Sequence, residues 1–229
     1  MDRVVEPEWL DELPATDASA RESRRDLRRV NALMGHARIT AFNLRTLFVD
    51  RAPGRLIELG AGDGTFAVEL ARRLSPIWKG VELLLVDRAN LVGGETSEQL
   101  RTLGWNVQAI TADVFDFLRA PPRADGIIAN LFLHHFTSDE LRHLFEQCAR
   151  FCDAFTACEP RRSRWCAGAA RLLGFVGCNH ITRHDAIVSV RAGFAGNELS
   201  ALWPSSAEWI CAEQSRGLFS HAFAARRRN

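Results

Sequence analysis

The sequence predicts an α/β fold built on a doubly wound, mostly parallel sheet of seven strands, with a terminal antiparallel hairpin and an N-terminal helical lid. From about Leu56 onward, short apolar runs alternate with amphipathic segments, which is the pattern of parallel strands joined by crossover helices. The chain has 229 residues, of which 47% are hydrophobic, so it can bury one domain-sized core. Near the end, two further β-type runs flank residues 215–217 and predict the hairpin.

Five apolar runs predict the parallel strands, and the segments between them predict helices. The predicted strands are Leu56–Leu59, Glu82–Val86, Asn106–Ile110, Gly126–Ala129 and Phe155–Cys158, the predicted helices are Thr65–Leu74, Gly94–Leu103, Val114–Leu118 and Ser138–Phe151, and the hairpin joins Trp209–Cys211 to Phe219–Ala224. A doubly wound sheet binds its ligand at the carboxyl ends of its strands. We therefore expect the functional residues in the loops that follow the strands.

Two regions flank this pattern. Residues 1–50 are rich in arginine and carry apolar residues at helical spacing, which predicts two helices broken at Gly35 and an N-terminal helical cap. Residues 51–229 form the main predicted domain, with a lid-like insertion at about 161–185. Within it, Thr182–Asp185 has the pattern of a capping box that begins a helix running to about Arg191.

Charge and cysteine usage limit the classes of function. Lys+Arg number 29 and Asp+Glu 28, so the net charge of +1 provides no field that would gather nucleic acid or an anionic membrane. The six cysteines include no CxxC pair and follow no apparent secretory leader, which favours reduced thiols. No stretch approaches ~18 uninterrupted apolar residues. We expect a cytoplasmic protein without a membrane segment, and the sequence indicates no oligomeric state.

A glycine-rich loop follows the first predicted strand and precedes a helix, which is the context of a nucleotide-binding loop. Residues 58–64 read Glu-Leu-Gly-Ala-Gly-Asp-Gly, a G-x-G-x-G spacing, and Thr65 stands where a dinucleotide loop needs glycine. Glu58 and Asp63 place carboxylates beside the loop, which favours a positively charged ligand over a pyrophosphate. S-adenosylmethionine, with its ammonium and sulfonium, has that charge.

This loop, Asp87 after the second strand and Asp113 after the third together resemble the class I S-adenosylmethionine-dependent methyltransferases over roughly residues 55–160. The resemblance implies a Rossmann-like fold for the main domain, in which the loop holds the methionine part of the cofactor, Asp87 the ribose hydroxyls and Asp113 the adenine amine. A carboxylate has the paired acceptors that a cis-diol needs, although either acid alone is also consistent with a helix cap. The implied cofactor-binding residues are Glu58, Gly60, Ala61, Gly62, Gly64, Asp87, Arg88, Asp113, Val114 and Asn130.

The segment after the fourth strand, Asn-Leu-Phe-Leu-His-His-Phe from Asn130 to Phe136, bears on the methyl acceptor. It lacks the N/D-P-P-aromatic signature of enzymes that methylate nucleobase or amide nitrogens. It resembles the small-molecule branch of the family, which includes quinone-biosynthesis and natural-product enzymes, where a histidine here can act as a base. Imidazole, with a pKa near ~6.5, suits that role. His134 and His135 are the catalytic candidates, with a preference for His135.

The predicted function is therefore methylation of a hydroxyl, or less readily a carbon, on a small aromatic, quinone-like or polyketide acceptor, with no nucleic-acid partner. His180 and Arg183 in the lid-like insertion are predicted to touch the acceptor. A metal site formed by Cys178, His180 and His184 is not favoured, since the spacing matches no common closed zinc pattern.

Three other functions are weighed. A nicotinamide-dependent oxidoreductase could use the same sheet, but Thr65 argues against the dinucleotide loop. An RNA methyltransferase is weakened by the balanced charge and the missing proline signature. A regulatory or assembly protein that binds the cofactor without catalysis would tolerate loss of both His134 and His135.

Overall fold

The computed structural model describes residues 1–14, 17–173, 177–205 and 207–228. Its strands are β1 (Arg55–Leu59), β2 (Glu82–Asp87), β3 (Asn106–Thr111), β4 (Ala124–Asn130), β5 (Cys152–Pro160), β6 (Trp209–Arg216) and β7 (Ser220–Arg227). They form one seven-stranded sheet in the order β3-β2-β1-β4-β5-β7-β6. The first five strands are parallel, and β7 pairs antiparallel with β5 and β6.

The predicted strands and hairpin are confirmed, and the observed strands extend beyond the predicted apolar runs. Polar residues such as Asp87 and Asn130 belong to the ladders because backbone pairing continues after the apolar pattern stops: Asp87 lies opposite Thr111, and Asn130 opposite Cys158. An apolar run marks the buried centre of a parallel strand, whereas hydrogen bonding sets the ends. The polar ends of the strands are thus part of the sheet and are held rigidly.

The described ranges contain ten α-helices and a short 3₁₀ turn. They are α1 (Trp9–Glu12), α2 (Ala18–Met34), α3 (His36–Leu47), α4 (Thr65–Leu74), α5 (Gly94–Thr102), α6 (Val114–Phe117), the 3₁₀ turn Leu133–His135, α7 (Ser138–Phe151), α8 (Arg164–Arg171), α9 (His180–Ala192) and α10 (Glu198–Leu202). The predicted bounds of α4 and α7 are those observed.

The sheet carries a hydrophobic core on each face, as a doubly wound fold requires. Leu56 packs into a core shared with α3, α4 and α5, whereas its neighbour Ile57 packs into a core shared with α7 and α10. Successive residues of a strand point to opposite faces, so the consecutive apolar residues of β1 are all buried. This arrangement leaves the carboxyl edge of the sheet for the functional loops.

The predicted helix break at Gly35 is confirmed. Gly35 has φ 69°, a left-handed conformation that glycine adopts without strain, and it separates α2 from α3. Leu44 of α3 is fully buried against α4, while α2 packs against α9. The division of the chain at residue 50 stays a prediction, as does the insertion at 161–185, in which residues 174–176 lie outside the described ranges.

The predicted capping box at Thr182–Asp185 is wrong. Helix α9 begins at His180, and its cap is Asn179, whose side chain accepts a hydrogen bond from the Thr182 amide at 2.9 Å. The Asp185 carboxylate instead accepts the backbone N–H groups of Trp9 and Leu10 at 2.9 and 3.0 Å. Asp185, which the local pattern assigned to the start of the helix, thus binds the backbone of a distant segment of the chain.

The cysteines are all free, and four of them are buried. Burial raises the pKa values of the Cys148 and Cys158 thiols well above the usual range of a cysteine, so these thiols stay protonated. Among the helices of the described ranges, none is both long enough and apolar enough to cross a membrane.

Gly193 gives a stability prediction for the contact between α9 and β5. A Cβ there would lie 2.3 Å from the carbonyl oxygen of Pro160, a backbone atom that cannot move freely. We expect Gly193→Ala to lower the free energy of unfolding by about 2 kcal/mol or more, measured by urea denaturation. Gly168→Ala is the control: it lies inside α8 with open space around it, and should be neutral or stabilising by up to about 1 kcal/mol. Equal effects of the two substitutions would contradict this packing.

Candidate active site

The site lies where the strand order reverses. β1 is flanked by β2 and β4, so chain connections leave in opposite directions from the β1 and β4 ends and a crevice forms between them. The glycine loop follows β1, and Asn130 ends β4. The structure therefore brings the predicted cofactor loop and the segment with the two histidines to the same crevice.

The geometry of the loop requires its glycines. Gly60, Gly62 and Gly64 all have positive φ, at 72°, 55° and 75°. A Cβ on Gly60 would lie 2.2 Å from the Phe132 ring, and one on Gly64 would lie 2.7 Å from a methyl group of Thr96. Side chains of the protein thus occupy the space that a Cβ would need at Gly60 and Gly64, whereas the space at Gly62 is open. The Gly60 amide is fixed by donating to the Val86 carbonyl at 2.9 Å.

The two predicted cofactor acids lie at the ends of β2 and β3. Asp87 accepts the Gly62 amide on Oδ2 and the Ala89 amide on Oδ1, both at 2.8 Å, so it shapes the glycine loop directly. Asp113 caps α6 by accepting the Phe115 amide on Oδ1 at 2.8 Å. A carboxylate oxygen has two lone pairs, so both acids can still accept from a ligand. The helix-cap interpretation and the cofactor interpretation are compatible here.

The other predicted cofactor residues line the same edge. Ala61 is buried within the glycine loop. Val114, which follows Asp113 and is the first residue of α6, is also buried. Arg88 follows β2 and is exposed. Asn130 is half-buried at the end of β4.

Glu58 is buried beneath the loop and is 1% exposed. Burial raises its pKa well above its usual range, and the nearby carboxylates of Asp87 and Asp63 add to the rise. Its Oε2 atom has no hydrogen-bond partner among the described residues. A buried polar atom without a partner beside the glycine loop can accept a hydrogen bond from a ligand, so the residues present fit the ammonium group of S-adenosylmethionine.

His134 lies in the 3₁₀ turn after β4 and is clamped between two carboxylates. Its Nδ1 atom is 2.8 Å from Glu159 Oε2, and its Nε2 atom is 3.3 Å from Glu8 Oε1. Glu159 is the last residue but one of β5 and also accepts the backbone amides of Phe132 and Leu133 on Oε1, at 3.0 and 2.9 Å. All three ionisable side chains are buried. We call Glu8, His134 and Glu159 the charge clamp.

The clamp holds His134 as an imidazolium. Burial opposes the charge, but the hydrogen bonds and charges of Glu159 and Glu8 raise the pKa of His134 to about 9. Burial likewise opposes ionisation of Glu8, yet the hydrogen bond and charge of His134 lower the pKa of Glu8 to about 2. A protonated ring with both nitrogens occupied has no lone pair for a substrate proton, so the geometry disfavours His134 as the base.

His135 occupies a different position. It is half-buried and lines a cavity of about 530 Å³, and its ring centroid lies 4.3 Å from that of His134. The cavity is walled mainly by apolar and small residues of α2, α8 and α9. These are Leu27, Val30 and Met34 of α2, Cys166, Ala169 and Ala170 of α8, and Ala186, Ser189 and Val190 of α9, with Pro160 at the end of β5 and Leu131 and Phe219 from loops.

The structure does not bring His180 and Arg183 to this cavity. Both are exposed on α9, on turns before the residues that line the cavity. The His180 ring lies 6.3 Å from that of Trp9, and His184 stacks on Trp9 with a centroid distance of 3.6 Å. This part of α9 therefore packs against the N-terminal segment.

One group of side chains in the described ranges has the geometry to hold a metal ion: Glu8, His134 and His135, whose donor atoms lie within 4.8 Å of one another. The two ring nitrogens of His134 already face carboxylates. The protons of an imidazolium account for this geometry, and we assign no metal to it.

Three residues of the site were missed by the sequence analysis: Glu8, Glu159 and His36. Glu159 had a usable signal, because it is an acid at the carboxyl end of the strand beside β4. His36 follows the Gly35 break and contacts Asn130 with a distance of 2.8 Å between Nδ1 and Oδ1. Glu8 belongs to a charged terminal segment, where no local pattern distinguishes it from Glu6.

The raised pKa of His134 predicts a pH-dependent stability. The folded state binds this proton more tightly than the unfolded state, so the free energy of unfolding should fall as pH rises from 6.5 to about 9, by up to about 3 kcal/mol. Glu8→Gln removes one carboxylate and should make this fall smaller and move it to lower pH. Urea unfolding between pH 6 and 9.5 measures both.

Glu6→Gln is the matched control for that experiment, because Glu6 is an exposed acid of the same segment that pairs with Arg191. It should leave the pH dependence unchanged. If Glu8→Gln and Glu6→Gln gave the same curve as the unsubstituted protein, the charge clamp would not hold a proton on His134.

Residues 56–154 match the family model described as a methyltransferase domain. Curated protein sequences give no match. Among solved structures, the plantazolicin methyltransferase BpumL in complex with SAH is similar with a TM-score of 0.67 and 13% identity, over 93% of this chain and 92% of that one. The plantazolicin methyltransferase BamL, bound to a triazolic desmethylPZN analog and SAH, has a TM-score of 0.65 and 12% identity over 93% and 92%.

An O-methyltransferase family protein from Burkholderia thailandensis is also similar, with a TM-score of 0.59 and 17% identity over 93% of this chain and 64% of that chain. These likenesses agree with the strand order, and the family match covers β1 to the start of β5, where the glycine loop and both strand-end acids lie. Residues 56–154 are thus a methyltransferase domain, and the chain has the fold of methyltransferases that bind SAH, which supports an S-adenosylmethionine-dependent methyltransferase of class I.

Proposed function

We propose that this methyltransferase acts on a hydroxyl, or less readily a carbon, of a small and largely apolar molecule of aromatic, quinone-like or polyketide character. The observation that carries the proposal is the cavity of about 530 Å³ that meets His135 beside the end of β4. Its volume lies within the range of small-molecule sites, roughly 300–1,000 Å³. The proposed acceptor lies in this cavity with its reacting group toward the crevice.

The lining supports an apolar acceptor with one polar end. Leu27, Val30 and Met34 of α2 and small side chains of α8 line the cavity, which suits a planar or extended hydrocarbon body. The polar lining includes Glu8 and His134 of the charge clamp, with Ser189 hydrogen-bonded to Glu8, and also Asp26, Arg29 and Asn31 of α2. We assign the α9 contacts with the acceptor to Ala186, Ser189 and Val190 in place of His180 and Arg183.

We propose His135 as the catalytic base. The cofactor supplies an electrophilic methyl group on a sulfonium, and removing the acceptor proton as the methyl group arrives makes the acceptor oxygen a better nucleophile. His134 is then a positioning residue, because it ties the 3₁₀ turn to β5 through Glu159 and to the N-terminal segment through Glu8. The turn holds the neighbouring His135 at the cavity.

For the cofactor, we propose that Gly60, Ala61, Gly62 and Gly64 hold the methionine part, with Glu58 beneath them. Asp87, next to Arg88, would accept the ribose hydroxyls, and Asp113 with Val114 would bind the adenine. Support comes from the open space at Gly62, the buried Glu58 oxygen without a partner and the remaining lone pairs of the two acids.

The neighbours support this proposal. The plantazolicin methyltransferases that share the architecture bind desmethylPZN analogs together with SAH, and another similar structure is an O-methyltransferase family protein. The net charge of +1 and the apolar lining do not favour a nucleic-acid acceptor. We also propose a cytoplasmic location, which the six free thiols support.

The experiment is a panel of phenols incubated with enzyme and S-adenosylmethionine, with methylated products detected by mass. On the best acceptor, we expect His135→Ala to lower kcat by about 100-fold or more because the base is lost, while the affinity for SAH stays unchanged. His180→Ala is the control, since His180 is exposed and lies away from the cavity; it should keep full activity. Unchanged kcat in His135→Ala would refute the assignment of the base.

A further inference from the structure

His36 is a buried histidine that the proposed reaction does not yet use. It is the first residue of α3 and is 1% exposed. Its Nδ1 atom lies 2.8 Å from Asn130 Oδ1, whereas its Nε2 atom is buried with no hydrogen-bond partner among the described residues. Buried polar atoms in folded proteins nearly always have partners. The second nitrogen therefore lacks the group it would normally meet.

The contact with Asn130 fixes the tautomer of this ring. Burial lowers the pKa of His36, although the hydrogen bond to Asn130 opposes the change, so the ring is neutral. An amide oxygen only accepts hydrogen bonds, so the single ring proton of His36 lies on Nδ1. Nε2 then carries a lone pair and can accept a hydrogen bond but not donate one.

The position of His36 indicates which ligand that lone pair would meet. Asn130 ends β4 at the crevice next to the glycine loop of β1. The neighbours of both residues, Met34 and Leu131, line the acceptor cavity, but His36 and Asn130 do not. His36 thus contacts the end of β4, the strand that pairs with β1 just before the glycine loop, and it is also close enough to the charge clamp to feel the charges of Glu159 and His134.

We propose that Nε2 of His36 accepts a hydrogen bond from the α-ammonium group of S-adenosylmethionine. The inference rests on the proposed placement of the cofactor's methionine end at the glycine loop. An ammonium group has three donors and needs acceptors when it is buried. A neutral imidazole meets this need without adding charge, and a hydrogen bond from a charged donor is about twice as strong as a neutral one. Asn130 then acts as the residue that orients the ring.

Two ligands separate this contact from a general structural role. SAH carries both the ribose and the amino-acid end, whereas 5′-methylthioadenosine carries the ribose but no ammonium group. Isothermal titration of both ligands is compared for the unsubstituted protein, His36→Phe and Asp87→Ala. We expect His36→Phe to weaken SAH about tenfold or more and to leave 5′-methylthioadenosine unchanged. Asp87→Ala should weaken both, because both present the ribose hydroxyls.

Binding of 5′-methylthioadenosine also shows that each variant is folded. If His36→Phe loses that binding, the same comparison is made with His36→Ala, which removes the ring without adding bulk. Unchanged SAH affinity in the His36 variant, or an equal loss for both ligands, would overturn the proposal. If Asp87→Ala weakened neither ligand, the proposed placement of the cofactor would be wrong. The proposed role of His36 would then be wrong as well, and His36→Phe should show no selective loss of SAH binding.

Discussion

The site depends on one buried interaction, the protonated His134 ring held between Glu8 and Glu159. Burying a charge in a protein interior is costly unless a partner and hydrogen bonds compensate it. Here each ring nitrogen faces a carboxylate, and Glu159 Oε1 also accepts two backbone amides of the turn after β4. Removing any one member leaves the others uncompensated. The three side chains therefore hold the N-terminal segment, the 3₁₀ turn and the end of β5 in one arrangement.

This arrangement fixes the positions of His134 and His135 at the cavity. Arg3 strengthens it from the same terminal segment by donating to the carbonyl oxygens of the turn, with the Phe136 oxygen at 2.7 Å. With the turn fixed, His135 stays at the cavity while His134 is occupied by the clamp. Both histidines line the cavity, but only His134 has both of its ring nitrogens facing carboxylates. The neutral His36 contacts Asn130 at the end of β4, and its proposed partner is the ammonium group of the cofactor.

The parts of this account that the sequence predicted are local ones. The strands, the glycine loop and the acids after β2 and β3 follow from periodicity and motif within one βα unit at a time. The clamp joins Glu8 to His134 across 126 positions, and no local pattern encodes such a contact. The same reason explains the error at Asp185, whose carboxylate caps a distant backbone segment. His180 and Arg183 belong to the helix that borders the cavity, but they lie on turns of α9 before Ala186, Ser189 and Val190, and a local pattern does not show how far along a helix a cavity lies.

The most direct test of the account is the protonation state of His134. In ¹⁵N-histidine NMR, with the signal assigned by comparison with His134→Gln, the account predicts that both ring nitrogens carry protons at pH 7 and that the ring titrates near pH 9, in keeping with its raised pKa of about 9. A neutral ring at pH 7 that titrates near the ordinary value of 6.5 would contradict it. That result would return His134 to the candidates for the base and remove the interaction on which the arrangement of the site depends.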